Sequence, residues 1–214
     1  MPLVTARPPP LTSLVGRIHR LPALAQLVIG LVAFGVGLAM MIGADLGLAP
    51  WDIFHQGLSD VTGAPIGTMI IAVGAVLVLA LVALREPLGV GTLLNVVVIG
   101  LVVDLTLWAL DDPVSLWARI PLLVLGPVIT ALGTGLYIGV WMGTGPRDGI
   151  MTAMARRGIP LWLGRTGLEA IVFVAGLLLG GTLGVGTVWF LVAIGPMSER
   201  ALRALSRPHP DAVV

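Results

Sequence analysis

Gly47-Leu48-Ala49-Pro50-Trp51-Asp52 decides the fold, because a second copy follows in the other half of the chain as Gly143-Thr144-Gly145-Pro146-Arg147-Asp148. The similarity extends further along both halves. The first run is followed by Gly89-Val90-Gly91-Thr92, Gly100 and Asp104, and the second by Gly184-Val185-Gly186-Thr187, Gly195 and Glu199. The sequence therefore predicts two copies of one unit, and repeats of this kind are common in secondary transporters.

The composition is that of a membrane protein. Mean hydropathy is +1.04, 57% of the residues are hydrophobic and 11% are charged, whereas soluble domains carry about 25% charged residues. We therefore expect the lipid bilayer to be the main partner of this chain. A net charge of +1 indicates no nucleic-acid partner, and the absence of cysteine excludes disulfides and thiolate metal sites.

Six predominantly apolar stretches, of which 87–110 contains the single charge of Asp104, are long enough to cross a bilayer, which takes about 20 apolar residues. They are 21–44, 61–84, 87–110, 120–146 and 170–198, the last of which divides at the glycine-rich run 180–186. The fold class that follows is an all-α, polytopic membrane protein with six transmembrane helices. Three spans per copy is an odd number, so the two repeats are expected to be inverted relative to each other.

The division of the chain follows from these spans. The predicted parts are a disordered cytoplasmic N-terminus (1–20), a first three-helix repeat (21–110), an external linker (111–119), a second three-helix repeat (120–205) and a cytoplasmic tail (206–214).

Arginine placement orients the spans. With both termini in the cytoplasm, only Arg119 lies outside, and the excess of basic residues inside is typical of bacterial inner-membrane proteins. The cytoplasmic arginines are then Arg7, Arg17, Arg20, Arg85, Arg147, Arg156, Arg157, Arg165, Arg200, Arg203 and Arg207.

In an alternative topology, the segments after each proline also cross the membrane, which gives eight spans and parallel repeats. Those segments are short and charged, which disfavours this alternative.

The Pro-x-Asp motif predicts a short helix after the first span of each copy, either interfacial or re-entrant. Pro50 suits the first helical position, and Asp52 then lies where a carboxylate stabilises exposed amides; Pro146 and Asp148 repeat this. The functional interpretation is a pair of broken helices around a substrate path, in which the helix starts offer an anion site and the carboxylates act as gates or proton carriers. The alternative is plain capping.

Residues around the two carboxylates complete the predicted helix-break motif. Its members are Gly47, Pro50, Trp51, Gly143 and Pro146. Under the capping interpretation, Trp51 anchors the helix at the membrane interface. His55 has no counterpart in the second copy, so we expect it to be interfacial and solvated.

The run Gly47-Leu48-Ala49-Pro50-Trp51-Asp52-Ile53-Phe54-His55-Gln56-Gly57-Leu58-Ser59 resembles the signature of the YczE-like branch of the YczE/YyaS/YitT membrane proteins. The resemblance covers about 27–205. It implies a bacterial multi-pass inner-membrane protein, and it supplies no catalytic residues.

Few polar side chains fall inside the predicted spans, so each is a candidate site residue. Asp104, late in the third span, is a candidate proton-coupling or cation-binding carboxylate, and Asn95 can hydrogen-bond between helices. The predicted substrate or coupling path consists of Asp52, Asn95, Asp104 and Asp148. Arg165 and Glu169 are four residues apart, a spacing that suits an ion pair on one helix face.

No nucleotide-binding loop, HExxH pair or Cys/His metal spacing is present. We therefore expect no enzyme, no cofactor and no metal. Two functions stay open: a small secondary carrier for a small solute, and a non-transporting scaffold or regulatory protein. A homodimer is compatible with either. A polar cavity near the membrane midplane would favour transport, and a dry apolar core would favour a scaffold.

Overall fold

The computed structural model describes residues 21–110 and 115–208, and over these ranges the chain forms eight α-helices and no strand. They are α1 (Ala23–Ala44), α2 (Pro50–Thr62), α3 (Ile66–Ala83), α4 (Val90–Ala109), α5 (Leu116–Ile138), α6 (Pro146–Arg156), α7 (Leu161–Leu178) and α8 (Val185–Leu205). The all-helical prediction is confirmed. Predictions for 1–20, for 111–114 and for the end of the tail, 209–214, lie outside the described residues.

The two short helices begin where the motif predicts. Pro50 and Pro146 each occupy a first helical position, because a proline there loses no helical hydrogen bond. Asp52 and Asp148 lie in the first turns that follow. Gly63 ends α2 in a left-handed conformation, with φ of 72°.

Five helices, α1, α3, α4, α5 and α7, are long and apolar enough to cross a membrane by length and composition. The sixth predicted span corresponds to α8, which has 21 residues but carries Glu199, Arg200 and Arg203 in its last part. Observed helices also extend past the predicted limits: α7 begins before Arg165, and α5 begins within the predicted linker. A helix continues past the apolar stretch because its backbone hydrogen bonds also form in the interface.

The centre of the bundle is the crossing of α1 and α5. At this crossing, a Cβ added to Gly30 would lie 2.6 Å from the backbone nitrogen of Tyr137, and one added to Gly133 would lie 2.5 Å from that of Phe34. Backbones can approach this closely only because glycine has no side chain, and such contacts hold helices together in lipid. Leu27 and Leu31, both fully buried, continue the packing of α1 into an apolar core.

The remaining helices pack in matching pairs around this crossing. α1 packs on α4, and α5 packs on α8. The short helix α2 of the first half packs on α7 of the second half, and α6 of the second half packs on α3 of the first. Each half therefore contributes its short helix to the other half, which brings the two Pro-x-Asp motifs towards one region.

Candidate functional site

The two Pro-x-Asp motifs meet in the interior of the protein. The guanidinium carbon of Arg147, at the start of α6, lies 5.6 Å from the centroid of the Trp51 ring, at the start of α2. This distance is within the range of a cation–π interaction. The first turns of two helices that are far apart in the sequence therefore face each other.

Each loop that leads into a short helix is held by the other half of the chain. The backbone N–H of Gly186 donates to the carbonyl of Leu46 at 2.8 Å, and that of Gly91 donates to the carbonyl of Met142 at 2.8 Å. Gly47 and Gly143 adopt φ of 109° and 116°, a conformation that other residues rarely adopt. The two predicted helix-break glycines thus shape the loops.

A cavity of about 650 Å³ lies where the motifs meet, and all eight helices contribute to its wall. This volume is typical of sites for small molecules. The wall contains six of the predicted residues: Pro50, Trp51, Asp52, Asn95, Pro146 and Asp148. Asn95 lies against the start of α6, since a Cβ on Gly145 would be 3.3 Å from its Oδ1.

Asp52 is the most enclosed carboxylate of this wall, with 3% of its surface exposed. Its Oδ1 lies 3.5 Å from Nδ1 of His55, one helical turn later. That distance is at the limit of a hydrogen bond. Its other oxygen, Oδ2, makes no hydrogen bond within the described part of the chain. Asp52 is therefore a buried acidic group with one weak partner.

His55 lies inside the protein, and the prediction of an interfacial, solvated side chain is wrong. It is 7% exposed, and the ring centroids of Trp51 and Phe54 are 6.3 and 6.2 Å from its own. His55 lines the interior cavity, which exists only because α2 packs into the other half of the chain, and nothing in the local sequence indicates that packing. Trp51 is also 7% exposed, which does not match the interfacial anchor of the capping interpretation.

The sequence does not mark several residues of the wall as site residues. Arg147 lies within the motif, but its charge there indicates only the orientation of the chain. The polar side chains of Thr130, Thr134 and Tyr137 also line the cavity. They lie in an apolar helix with nothing in their spacing to mark them.

Asp104 is apart from this cavity, although it was predicted with the others. Its Oδ1 accepts a 2.6 Å hydrogen bond from the backbone N–H of Gly67, and its Oδ2 lies 3.3 Å from Oγ1 of Thr68, which donates to it. Both partners are in the first turn of α3, so Asp104 caps that helix from α4. Three of the four predicted path residues are brought together, and Asp104 is placed elsewhere.

Two helix pairs that the sequence repeat predicts to correspond, α3 with α4 and α7 with α8, differ in how closely their helices pack. α3 and α4 are in close contact at Gly67 and Gly100, each of which would place a Cβ against the backbone carbonyl of the other. α7 and α8, the corresponding pair, barely touch. Gly195, the counterpart of Gly100, has open space around its Cβ position. Residues of the gap line the cavity: Arg165, Glu169, Gly195, Ser198, Glu199 and Leu202.

The charged residues of this gap pair within their own helices. Arg165 Nε lies 3.2 Å from Glu169 Oε1, as the spacing predicted, and Arg203 pairs with Glu199 on α8. Over the described ranges, no group of three or more histidine or acidic residues is arranged to hold a metal ion. The wall of the cavity carries both charged and aromatic side chains.

Comparison with known proteins identifies the chain. The model of a family of unknown function, DUF6198, matches residues 21–202. The chain belongs to this family. An uncharacterized protein of Haemophilus influenzae is 34% identical over 185 residues, which is 86% of this chain and 85% of that protein. The uncharacterized membrane protein YczE of Bacillus subtilis is 32% identical over 167 residues, 77% of each chain.

No solved structure matches this DUF6198 chain. The resemblance to the YczE-like branch is confirmed by the similarity to the Bacillus subtilis protein. Together with the five apolar helices, this similarity makes the chain a membrane protein of uncharacterised function. The names of the two relatives give no substrate.

Proposed function

We propose that this DUF6198 protein is a small secondary carrier that moves a small solute through the cavity between α2 and α6. The observation that carries the proposal is the convergence of both Pro-x-Asp motifs on one cavity of about 650 Å³. Broken helices that begin at a shared central site are typical of carriers built from repeats. A protein that only held an assembly together would need no such cavity.

The proposed architecture has six spans in two inverted repeats. With 21 residues, α8 is about 30 Å long, and its charged residues from Glu199 onwards would lie at the interface. The matching contacts of α1 with α4 and of α5 with α8 support the repeat. So does the exchange of short helices between the halves. We take α2 and α6 to be re-entrant, since their first turns line the interior cavity.

The proposed orientation places both termini in the cytoplasm of a bacterial cell, on the arginine distribution. The α3–α4 seam at Gly67 and Gly100 then closes the external end. The gap between α7 and α8 opens the cavity towards the cytoplasmic end. In alternating access, a carrier has two states, and in each state the site is open to one side of the membrane and closed to the other. We therefore assign the structure to an inward-open state.

Flux through proteoliposomes tests the proposal. The purified full-length protein is reconstituted, and uptake of a broad panel of small solutes and of protons is compared with that of empty liposomes. We expect Asp52→Asn and Asp148→Asn to reduce the flux at least about tenfold, because carboxylates in a low-dielectric path interact strongly with what passes. Asp104→Asn should act through the α3–α4 seam rather than through solute binding.

The control is Asp60→Asn, an exposed carboxylate near the end of α2 that does not line the cavity. It should transport like the wild type. Size-exclusion profiles and thermal unfolding establish that each variant folds. If no solute of the panel moves, or if the cavity variants all behave like Asp60→Asn, the carrier proposal is wrong and a scaffold or regulatory role becomes the better one.

A further inference from the structure

The charges of the cavity wall do not balance. The wall contains four carboxylates and two guanidinium groups: Asp52, Asp148, Glu169, Glu199, Arg147 and Arg165. Most of them have partners. Arg165 pairs with Glu169, Glu199 pairs with Arg203 and Arg147 lies 3.9 Å from Asp148, Nε to Oδ1. Asp52 is left as the wall carboxylate without an arginine partner among the described residues, and its one partner is His55 at 3.5 Å.

Burial makes a negative charge on Asp52 costly, because its one partner is at the limit of a hydrogen bond. Its side chain is 4% exposed, and its one contact is the 3.5 Å approach of His55. An ionised carboxylate that loses water is stable only when another group compensates its charge. A cationic group at this position would supply that compensation, whereas an anion would add to the repulsion.

The helix starts do not argue for an anion either. The exposed amides of a first turn attract negative charge. In α2 and α6, however, Asp52 and Asp148 already occupy the first turns. The protein's own carboxylates therefore already supply the negative charge that these helix starts attract, which leaves no reason to expect the anion site that the sequence suggested.

The aromatic side chains that share the cavity with Asp52 also suit a cation. The face of Trp51 already carries the Arg147 guanidinium at 5.6 Å. Phe34 and Tyr137 line the same cavity and pack edge to face, with centroids 5.9 Å apart. Aromatic faces beside a carboxylate are how proteins bind ammonium groups. The guanidinium that now covers Trp51 is only loosely held by Asp148 and could move aside.

We infer that the cavity binds a small organic cation, with its ammonium group on Asp52 and against the face of Trp51. This inference rests on the proposed function, for which it names the substrate class. The charged group would enter through the gap between α7 and α8, past Glu169 and Glu199. In the absence of a ligand, the guanidinium of Arg147 would occupy the face of Trp51 that the ammonium group binds.

Calorimetry on the full-length protein in detergent tests the inference with matched probes. Choline is compared with its neutral isostere 3,3-dimethylbutan-1-ol, and n-propylammonium with n-propanol and propionate. We expect at least one cation to bind about tenfold or more tightly than its neutral partner and than propionate. Asp52→Asn should remove this preference, and Asp60→Asn should keep it.

Two further substitutions separate a cation site from an anion site and from a loss of packing. Arg147→Gln removes the competing charge, so it should tighten cation binding; at an anion site it would weaken binding. Trp51→Phe should retain most of the affinity because it keeps a ring, and because Nε1 of Trp51 makes no hydrogen bond in the described part of the chain. Trp51→Leu should lose most of the affinity for cations, because it removes the aromatic face.

The inference is overturned if neither cation exceeds its neutral partner, if propionate binds most tightly, or if Asp52→Asn binds cations like the wild type. The experiments distinguish failure of the cation site from failure of the carrier proposal. A neutral or anionic solute that moves in proteoliposomes and depends on Asp52 would overturn the cation site and leave the carrier intact. Cation binding without flux of any solute would contradict the carrier alone.

Discussion

Gln26 shows how one residue joins three helices of the bundle. It is fully buried near the start of α1, and its Nε2 donates to the carbonyls of Leu136 and Leu205 at 3.2 and 3.1 Å. Its Oε1 accepts a 2.8 Å hydrogen bond from Nε of Arg207. The ends of α5 and α8 are thus fastened to α1 by one amide.

We expect Gln26→Leu to lower the free energy of unfolding by about 1–3 kcal/mol, because it leaves buried polar groups without partners. Thermal unfolding of the purified protein in detergent measures this effect. Ile29→Leu, at a lipid-facing position of the same helix that is 47% exposed, is the control and should change little. Equal stability of Gln26→Leu and the control would show that the amide contributes nothing.

At the scale of elements, Glu86 ties the loop between α3 and α4 to the end of α6. Its Oε1 lies 2.7 Å from Nη1 of Arg157, and its Oε2 pairs with Arg156. Arg157 also donates to the carbonyl of Leu84 at 2.8 Å. The hydrogen bonds from Arg157 and then from Arg156 hold the pKa of Glu86 below its ordinary value of 4.5.

The lowered pKa predicts a loss of stability in acid. A carboxylate with a lowered pKa contributes its stabilisation fully above the ordinary value, and this contribution disappears as the pH falls through the lowered one. We therefore expect Glu86→Gln to unfold at a lower temperature than the wild type at pH 7, and the difference to vanish as the pH falls below 4.5. Glu199→Gln, whose partner is on its own helix, should show a smaller difference at pH 7. A Glu86→Gln difference that persists unchanged at pH 3 would contradict this role.

At the scale of the whole molecule, the gap between α7 and α8 is where the proposed carrier would close. The seam of α3 and α4 indicates what the closed form would look like, since Gly100 there lies against Ile71 and Gly67. Thr68 is the third residue of α3 and Leu163 is the third residue of α7, so the repeat makes these two residues counterparts, as it does Gly100 and Gly195. Gly195 now faces open space, so its present surroundings do not require a glycine. Closure of the gap during transport would bring α7 against this position and would explain why the residue is small.

Paired cysteines test this closure, and the natural chain has no cysteine of its own. We expect Leu163→Cys with Glu199→Cys to form a disulfide under mild oxidation, to stop flux once formed, and to recover flux on reduction. Thr68→Cys with Asp104→Cys, across the closed seam where Oγ1 and Oδ2 lie 3.3 Å apart, should cross-link in the present state. Flux that continues unchanged in fully cross-linked Leu163/Glu199 protein would contradict closure of this gap.

What the sequence determined by itself is the helical framework and the places where its helices begin. Proline and glycine act through their own backbones, so Pro50, Pro146, Gly47 and Gly143 mark the same positions in the structure as in the sequence. The pairing of Arg165 with Glu169 is equally local. Long apolar stretches likewise indicate membrane helices without reference to any neighbour.

Only the tertiary structure decided which polar residues share a site. Asp104 and Asp52 look alike in the sequence, yet one caps α3 and the other is buried at the cavity with His55. Lipid and protein interior are both apolar, so hydrophobic patterning along a membrane helix does not distinguish the face that turns inward. The contact between Arg147 and Trp51 joins opposite halves of the chain, and only the packing of α2 and α6 into the other half brings such distant residues together.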